Sequence, residues 1–174
     1  MSLGLMTKQT KIINPPQPLT LKHDVLEFES KSEALNNWLK EKALKNEGDT
    51  ARTFVVTIEN QVIGYYCLAT ASVTHLMAVS KAKRNAPDPI PCMLIGRLAV
   101  DTKWEGRGIG SGLLKDAIIR TLTVSQMVGI RCVLVHAKDE EAKRFYLKYG
   151  FQPSPIEPLT LMMTLKDIRA NLID

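Results

Sequence analysis

The run Met93-Leu94-Ile95-Gly96-Arg97-Leu98-Ala99-Val100, continuing through Trp104-Glu105-Gly106-Arg107-Gly108-Ile109-Gly110-Ser111-Gly112-Leu113-Leu114, decides the fold. Its first part is apolar almost throughout, Arg97 excepted, and reads as a buried strand. Its second part sets glycine at alternate positions from 106 to 112. Leu113, Leu114, Ala117, Ile118 and Leu122 follow on one helical face. Glycines let a backbone approach a ligand closely. The first amides of a helix lack partners within it, and the helix dipole is positive there. Strand, glycine turn and helix start together make a site for phosphate oxygens.

Two phosphate motifs fail here. The P-loop spacing, counted from Gly106 or Gly108, demands glycine at Ser111 or Leu113. The dinucleotide fingerprint G-x-G-x-x-G makes the same demands and fails at the same two residues. The remaining readings are a turn that holds phosphate oxygens of neither ATP nor NAD and a turn that needs glycine only for its shape.

Outward from this centre the pattern alternates. Gly129 ends the helical unit and Ile130–Val135 reads as a short core strand. Asp139 can cap a second helix that carries Ala142, Phe145, Tyr146 and Tyr149 and stops at Gly150. Leu159–Leu165 is a closing strand before a short tail helix. Upstream, Arg52–Ile58 and Val62–Ala69 form a hairpin about Asn60, the second strand running on past Ala69. Before it, Ser32 caps a helix with Leu35, Trp38, Leu39 and Ala43 at helical spacing, and Gly48 follows as its stop. Ser80–Pro91, with its basic residues and prolines, reads as an exposed connection. Leu19–Leu21 is an expected short strand. Residues 1–17 read as an irregular lead-in, with Met1-Ser2-Leu3 in the form of a cloning remnant, and residues 18–174 as one domain. The expected fold class is α/β with α+β character, a central mixed sheet with helices on both faces.

Composition narrows the function. The 174 residues are 45% hydrophobic and 24% charged, the balance of a globular chain. The net charge of +5 serves solubility or a polyanionic partner, and basic residues concentrate at Lys81, Lys83 and Arg84. Cys67, Cys92 and Cys132 lie in apolar runs without paired spacing, as reduced core thiols do. His23, His75 and His136 are dispersed, so no metal is expected. The start lacks the pattern of a secretory signal, and Gln61–Val79 is too polar for a membrane span, so the expected location is cytoplasmic with no membrane association.

The glycine turn resembles the acyl-CoA signature of the GNAT superfamily of N-acetyltransferases, Gln/Arg-x-x-Gly-x-Gly/Ala, on Glu105-Gly106-Arg107-Gly108-Ile109-Gly110. Glu105 departs from the usual Gln or Arg. The second motif is Ala142, Phe145-Tyr146 and Gly150-Phe151. The match tightens at Pro89-Ile90-Pro91, Gly96-Arg97-Leu98-Ala99-Val100-Asp101, Asn37-Trp38-Leu39 and Pro158-Leu159-Thr160-Leu161. These stretches are similar to the acetyltransferase toxins of type II toxin–antitoxin pairs. The resemblance implies the GNAT acyl-CoA N-acyltransferase fold and acetyl-CoA as donor, with aminoacyl-tRNA as acceptor. It also implies a ribbon–helix–helix antitoxin and a homodimer.

By the same resemblance, the donor's arm lies between strands Met93–Val100 and Ile130–Val135. Leu98, Ala99 and Val100 supply backbone contacts to it. Glu105, Gly106, Arg107, Gly108, Ile109, Gly110, Ser111 and Gly112 surround the diphosphate, the amides of 107–112 holding it, and Tyr146 is the proton donor. Phe145 and Tyr149 are read as packing. Lys81, Lys83, Arg84 and Arg97 are the tRNA candidates, with ordinary surface as the other reading for the first three and a structural salt bridge for Arg97. His136 is left as structural. An acetyltransferase for a small amine or protein N-terminus is the alternative enzyme, and an acyl-CoA-binding module without catalysis is the alternative class.

Overall fold

The computed structural model describes residues 11–171, so Met1-Ser2-Leu3 lies outside the described residues. A seven-stranded sheet runs β1-β2-β3-β4-β5-β7-β6, with β1 Ile13–Pro18, β2 Arg52–Ile58, β3 Gln61–Val73, β4 Ile90–Val100, β5 Cys132–His136, β6 Gln152–Pro153 and β7 Thr160–Thr164. Among the described strands only β4 and β5 pair parallel; every other neighbouring pair is antiparallel.

Side-chain alternation along the strands divides the core. Phe54, Val56, Tyr66, Leu68, Met93, Ile95, Val133 and Val135 point to one face, which α4 (Ile109–Val124) and α5 (Glu140–Lys148) cover. Val55, Tyr65, Cys67 and Ala99 point to the other, under α1 (Glu33–Glu41) and α2 (Ala43–Asn46). Cys92, Cys132 and Leu134 share a third cluster with Ala82 of α3 (Ser80–Lys83). The mixed sheet with helices on both faces is therefore as the sequence reads. All three cysteines are buried and free. Gly64 has a packing reason: a Cβ there would stand 3.1 Å from Ile109 Cγ2 and 3.2 Å from Leu113 Cδ1, where α4 presses onto β3.

Several local readings hold. The Ser32 hydroxyl accepts from the Leu35 amide and opens α1. The Asp139 carboxylate accepts from Ala142 N at 2.8 Å and opens α5. The tail helix, α6, is Leu165–Asn171. Others need correction. The irregular lead-in through Gln17 contains β1. It pairs with β2 at Ile13↔Ile58, Asn14↔Thr57, Gln17↔Val55 and Pro18↔Phe54, and the register shifts where Pro15 and Pro16 intervene. Prolines are tolerated there because β1 is an edge strand with a bulge. Leu19–Leu21 is loop, with Leu19 buried and Leu21 exposed. Ser80–Pro91 is not wholly an exposed connection: Ser80–Lys83 makes a helical turn on buried Ala82, and β4 begins at Ile90, three residues before the expected Met93.

A polar network ties β1 to the centre. Asp116 of α4 accepts from Tyr66 Oη and, at 2.8 Å, from Arg120 Nε. Arg120 also donates to the Pro16 carbonyl at 3.2 Å, and its guanidinium lies 4.1 Å from the Phe54 ring centroid. Removing the shared acceptor leaves the hydroxyl of buried Tyr66 and the Nε of half-buried Arg120 without their partner. Asp116→Ala should lower unfolding free energy by about 1–3 kcal/mol, read by urea titration with an unchanged m value.

Candidate active site

The parallel register of β4 with β5 runs from Cys92↔Cys132 to Ile95↔Val135 and goes no further. Strand β4 continues to Val100 with only β3 beside it, after a bulge that places Gly96 between the pairs Leu68↔Ile95 and Cys67↔Arg97. The two strands part at this bulge. Leu98, Ala99 and Val100 then line one wall of a cleft of about 480 Å³, and Ala142, Phe145 and Tyr146 of α5 line another.

The glycine turn closes the cleft. Gly108 caps α4 in the left-handed conformation, φ 80°, and Gly106 has φ 73°. A Cβ at Gly106 would meet nothing within 4 Å, and one at Gly108 only Ser111 Oγ at 3.9 Å, so the turn is bare on its outer side. The first bond of the helix runs from Gly112 N to the Gly108 carbonyl at 3.0 Å. The amides of Ile109, Gly110 and Ser111 therefore have no helical acceptor, and Gly106, Gly108, Ile109, Gly110 and Ser111 all line the cleft. Bare glycine backbone and free helix-start amides suit a diphosphate. The helix end and the open wall of β4 together suit an elongated acyl-CoA.

Gly112 and Arg107 stand apart from that expectation. Gly112 spends its amide within the helix and faces a neighbouring hollow with Ile118 and Ile119. Arg107 does not line the cleft; its guanidinium lies 4.5 Å from the Trp104 ring centroid. Glu105 does line it. Its carboxylate is 3.5 Å from Lys31 Nζ, which also sits 3.6 Å from Glu141 Oε1. These two carboxylates, Glu105 first, raise the Lys31 pKa.

Tyr146 borders the cleft yet is only 7% exposed. Phe145 and Phe151 pack edge-on against its ring at 5.1 and 5.4 Å. Its carbonyl accepts from the amides of Tyr149 and Phe151, and Gly150, φ 94°, makes the reversal between them. Burial pushes the phenol up to about 12, so the proton is held firmly at neutral pH. Phe145 also touches the cleft, as does Tyr149, so neither is packing alone.

The tRNA candidates are not gathered at this cleft. Lys81, Lys83 and Arg84 belong to α3 and its end, beside the start of β4, whereas the cleft lies at the other end of that strand. Lys81 pairs with Asp167 at 3.3 Å; Lys83 and Arg84 are exposed. Arg97 is on the α1 face, its guanidinium 4.1 Å from the Trp38 ring centroid, and Trp38 in turn stacks on Tyr65 at 6.0 Å. No carboxylate among the described residues pairs with Arg97, so the salt-bridge reading gives way to an aromatic stack. His136 contacts the Thr160 hydroxyl at 3.1 Å.

The sequence reading missed Ser30, Lys31, Lys138 and Glu141 as cleft residues. For Glu141 a signal existed, since it is in the first turn of a helix already assigned to the site. Lys31 precedes an N-cap 74 positions before Glu105, and nothing local marks it.

Comparison with known proteins agrees with this geometry. Residues 49–153 match the acetyltransferase (GNAT) domain. The chain is 42% identical over 160 residues to a tRNA-acetylating toxin of Mycobacterium tuberculosis, covering 91% of this chain and 96% of that protein. Among solved structures, AtaT complexed with acetyl-methionyl-tRNAfMet superposes with TM-score 0.85 at 28% identity, covering 92% of this chain and 99% of the other. A tyrosine-to-phenylalanine mutant of the AtaT toxin, bound to the C-terminus of the antitoxin AtaR and acetyl-CoA, gives TM-score 0.79 at 27% identity, with 94% and 99% covered. A split parallel pair, a bare glycine turn at a helix start and a family match over residues 49–153 lead to one assignment: the chain belongs to the GNAT family and is an acetyl-CoA-dependent acetyltransferase.

Proposed function

We propose that this enzyme acetylates the α-amino group of aminoacyl-tRNA and thereby blocks translation, as the toxin of a toxin–antitoxin pair. The observation that carries the reading is the cleft joining the Gly106–Ser111 turn, the free wall of Leu98–Val100 and Tyr146, in a chain 42% identical to a tRNA-acetylating toxin. The antitoxin-bound AtaT structure supports a protein antitoxin, of the ribbon–helix–helix class by resemblance. Homodimer assembly rests on the same resemblance, and a tRNA acceptor places the reaction in the cytoplasm.

Acetyl-CoA supplies an activated acyl group on a good leaving thiol. In this reading the amides of Ile109, Gly110 and Ser111 hold its diphosphate, and the backbone of Leu98–Val100 holds its arm. Tyr146 gives its phenolic proton to the departing sulfur. The thiolate of a thiol near 8.5 is a weaker base than a phenolate, so the proton is not passed downhill in water; the proton lost by the attacking amine goes to water. Burial raises the phenol further, which keeps Tyr146 in its acid form through the working range and makes close contact with sulfur at the moment of departure the requirement. An α-amino group with reference pKa near 7.7–8.0 is neutral in roughly 10–20% of molecules at pH 7, whereas lysine near 10.4 is almost wholly charged. An α-amine acceptor therefore needs little help from a carboxylate base.

Tyr146→Phe should lower kcat about 10²–10⁴-fold while leaving acetyl-CoA affinity within twofold, measured by labelled acetyl transfer and by calorimetry. In the parent, kcat should show no alkaline fall from Tyr146 below roughly pH 11; a limb near 9 that vanishes in the Phe variant would assign a lower phenol pKa and contradict the burial argument. Gly110 has no positive φ, and its Cβ would lie 3.7 Å from Val100 Cγ2 and 3.9 Å from Phe145. Gly110→Val should fill the cleft and abolish acetyl-CoA binding with helix content kept. Unchanged binding would move the donor elsewhere. Reversing Lys83 and Arg84 to Glu should flatten the salt dependence of tRNA binding by up to about one unit of slope per residue. An unaltered slope would return that segment to ordinary surface.

A further inference from the structure

In this chain the signature position that carries Gln or Arg in the family is Glu105, and its carboxylate borders the cleft. Glu141, in the first turn of α5, is a second carboxylate on the same rim. Left alone, the two would oppose a diphosphate arriving at the glycine turn. Lys31 lies between them, 3.5 Å from one and 3.6 Å from the other, and borders the cleft itself.

The backbone that carries Lys31 is held before it by buried polar groups and after it by a helix cap. Before it, Glu29 N donates to Asp101 Oδ2 at 3.1 Å and the Glu29 carbonyl accepts from Thr102 N at 2.9 Å. The other oxygen of the Asp101 carboxylate accepts from Lys103 N at 2.9 Å, so one buried side chain holds both the Lys31 loop and the turn leading to Glu105. Adjacent to it, Ser30 donates its amide and hydroxyl to Asn36 Oδ1 at 2.8 and 2.7 Å, and Asn36 Nδ2 donates back to the Ser30 carbonyl at 3.2 Å. Beyond it, Ser32 caps α1. The ammonium itself is exposed, while the backbone that carries it is held by these bonds.

We propose that Lys31 is a donor-positioning residue: its single charge offsets one of the two negative charges that Glu105 and Glu141 place at the rim of the cleft, supplying from another part of the chain the positive charge that the signature position lacks. This rests on the cleft being the acetyl-CoA site. The formal charge of the trio is −1 in the parent and −2 in Lys31→Ala. In the double variant Lys31→Ala with Glu105→Gln it is −1 again.

Calorimetry with coenzyme A at low salt tests the idea on the full chain. Lys31→Ala should weaken Kd about fivefold and Lys31→Arg should retain affinity, because the effect is one of charge. The Lys31→Ala defect should shrink as salt is raised. Adding Glu105→Gln to Lys31→Ala should restore Kd to within about twofold of the parent, which a merely structural role for the lysine would not allow. Parent-like affinity in Lys31→Ala, or no rescue in the double variant, overturns the proposal. Gly110→Val separates the two layers. If it binds coenzyme A like the parent, the cleft is not the donor site; if it fails to bind while Lys31→Ala binds normally, only the role of Lys31 falls.

Discussion

The structure turns on the end of one parallel strand pair. β4 and β5 hold together from Cys92↔Cys132 to Ile95↔Val135, and the bulge at Gly96 then carries β4 away. A sheet that stayed paired to Val100 would offer no free backbone there and no room for a ligand between strands. Because it opens, the start of α4 and the side of α5 come to face the same space, and Tyr146 can be nearly buried and still reach it. The core on the α4 face sustains the gap, with Ile109 and Leu113 seated against Gly64 of β3.

Much of this was legible because it is written locally. The glycine turn, the caps at Ser32 and Asp139, the hairpin about Asn60 and the reversal at Gly150 each follow from residues within a few positions of one another. What escaped is non-local or runs against local preference. β1 carries three prolines and is a strand only because β2 pairs with it. The helical turn at Ser80 depends on Ala82 finding the core. Val100 and Tyr146 were placed at the site through a family motif, whereas Lys31 has no motif and is recruited by a bracket centred on Asp101.

Charge is arranged at two distances from the chemistry. At the cleft, Lys31, Lys138 and Lys148 stand among Glu105, Asp139 and Glu141, so the rim is balanced in sign rather than strongly positive. The exposed Lys83 and Arg84 are at the opposite end of β4. Arg97 belongs to neither group: lying on Trp38 over Tyr65, it extends an aromatic stack on the α1 face.

The prolines of β1 have a consequence beyond their own strand. Pro15, Pro16 and Pro18 remove the amide hydrogen from three of its six residues, and at the far side of the sheet β6 is only two residues long. A foreign β-segment seeking to extend the sheet would find a margin poor in donors at one side and almost no length at the other. Such margins discourage amyloid-like stacking and main-chain zippering alike.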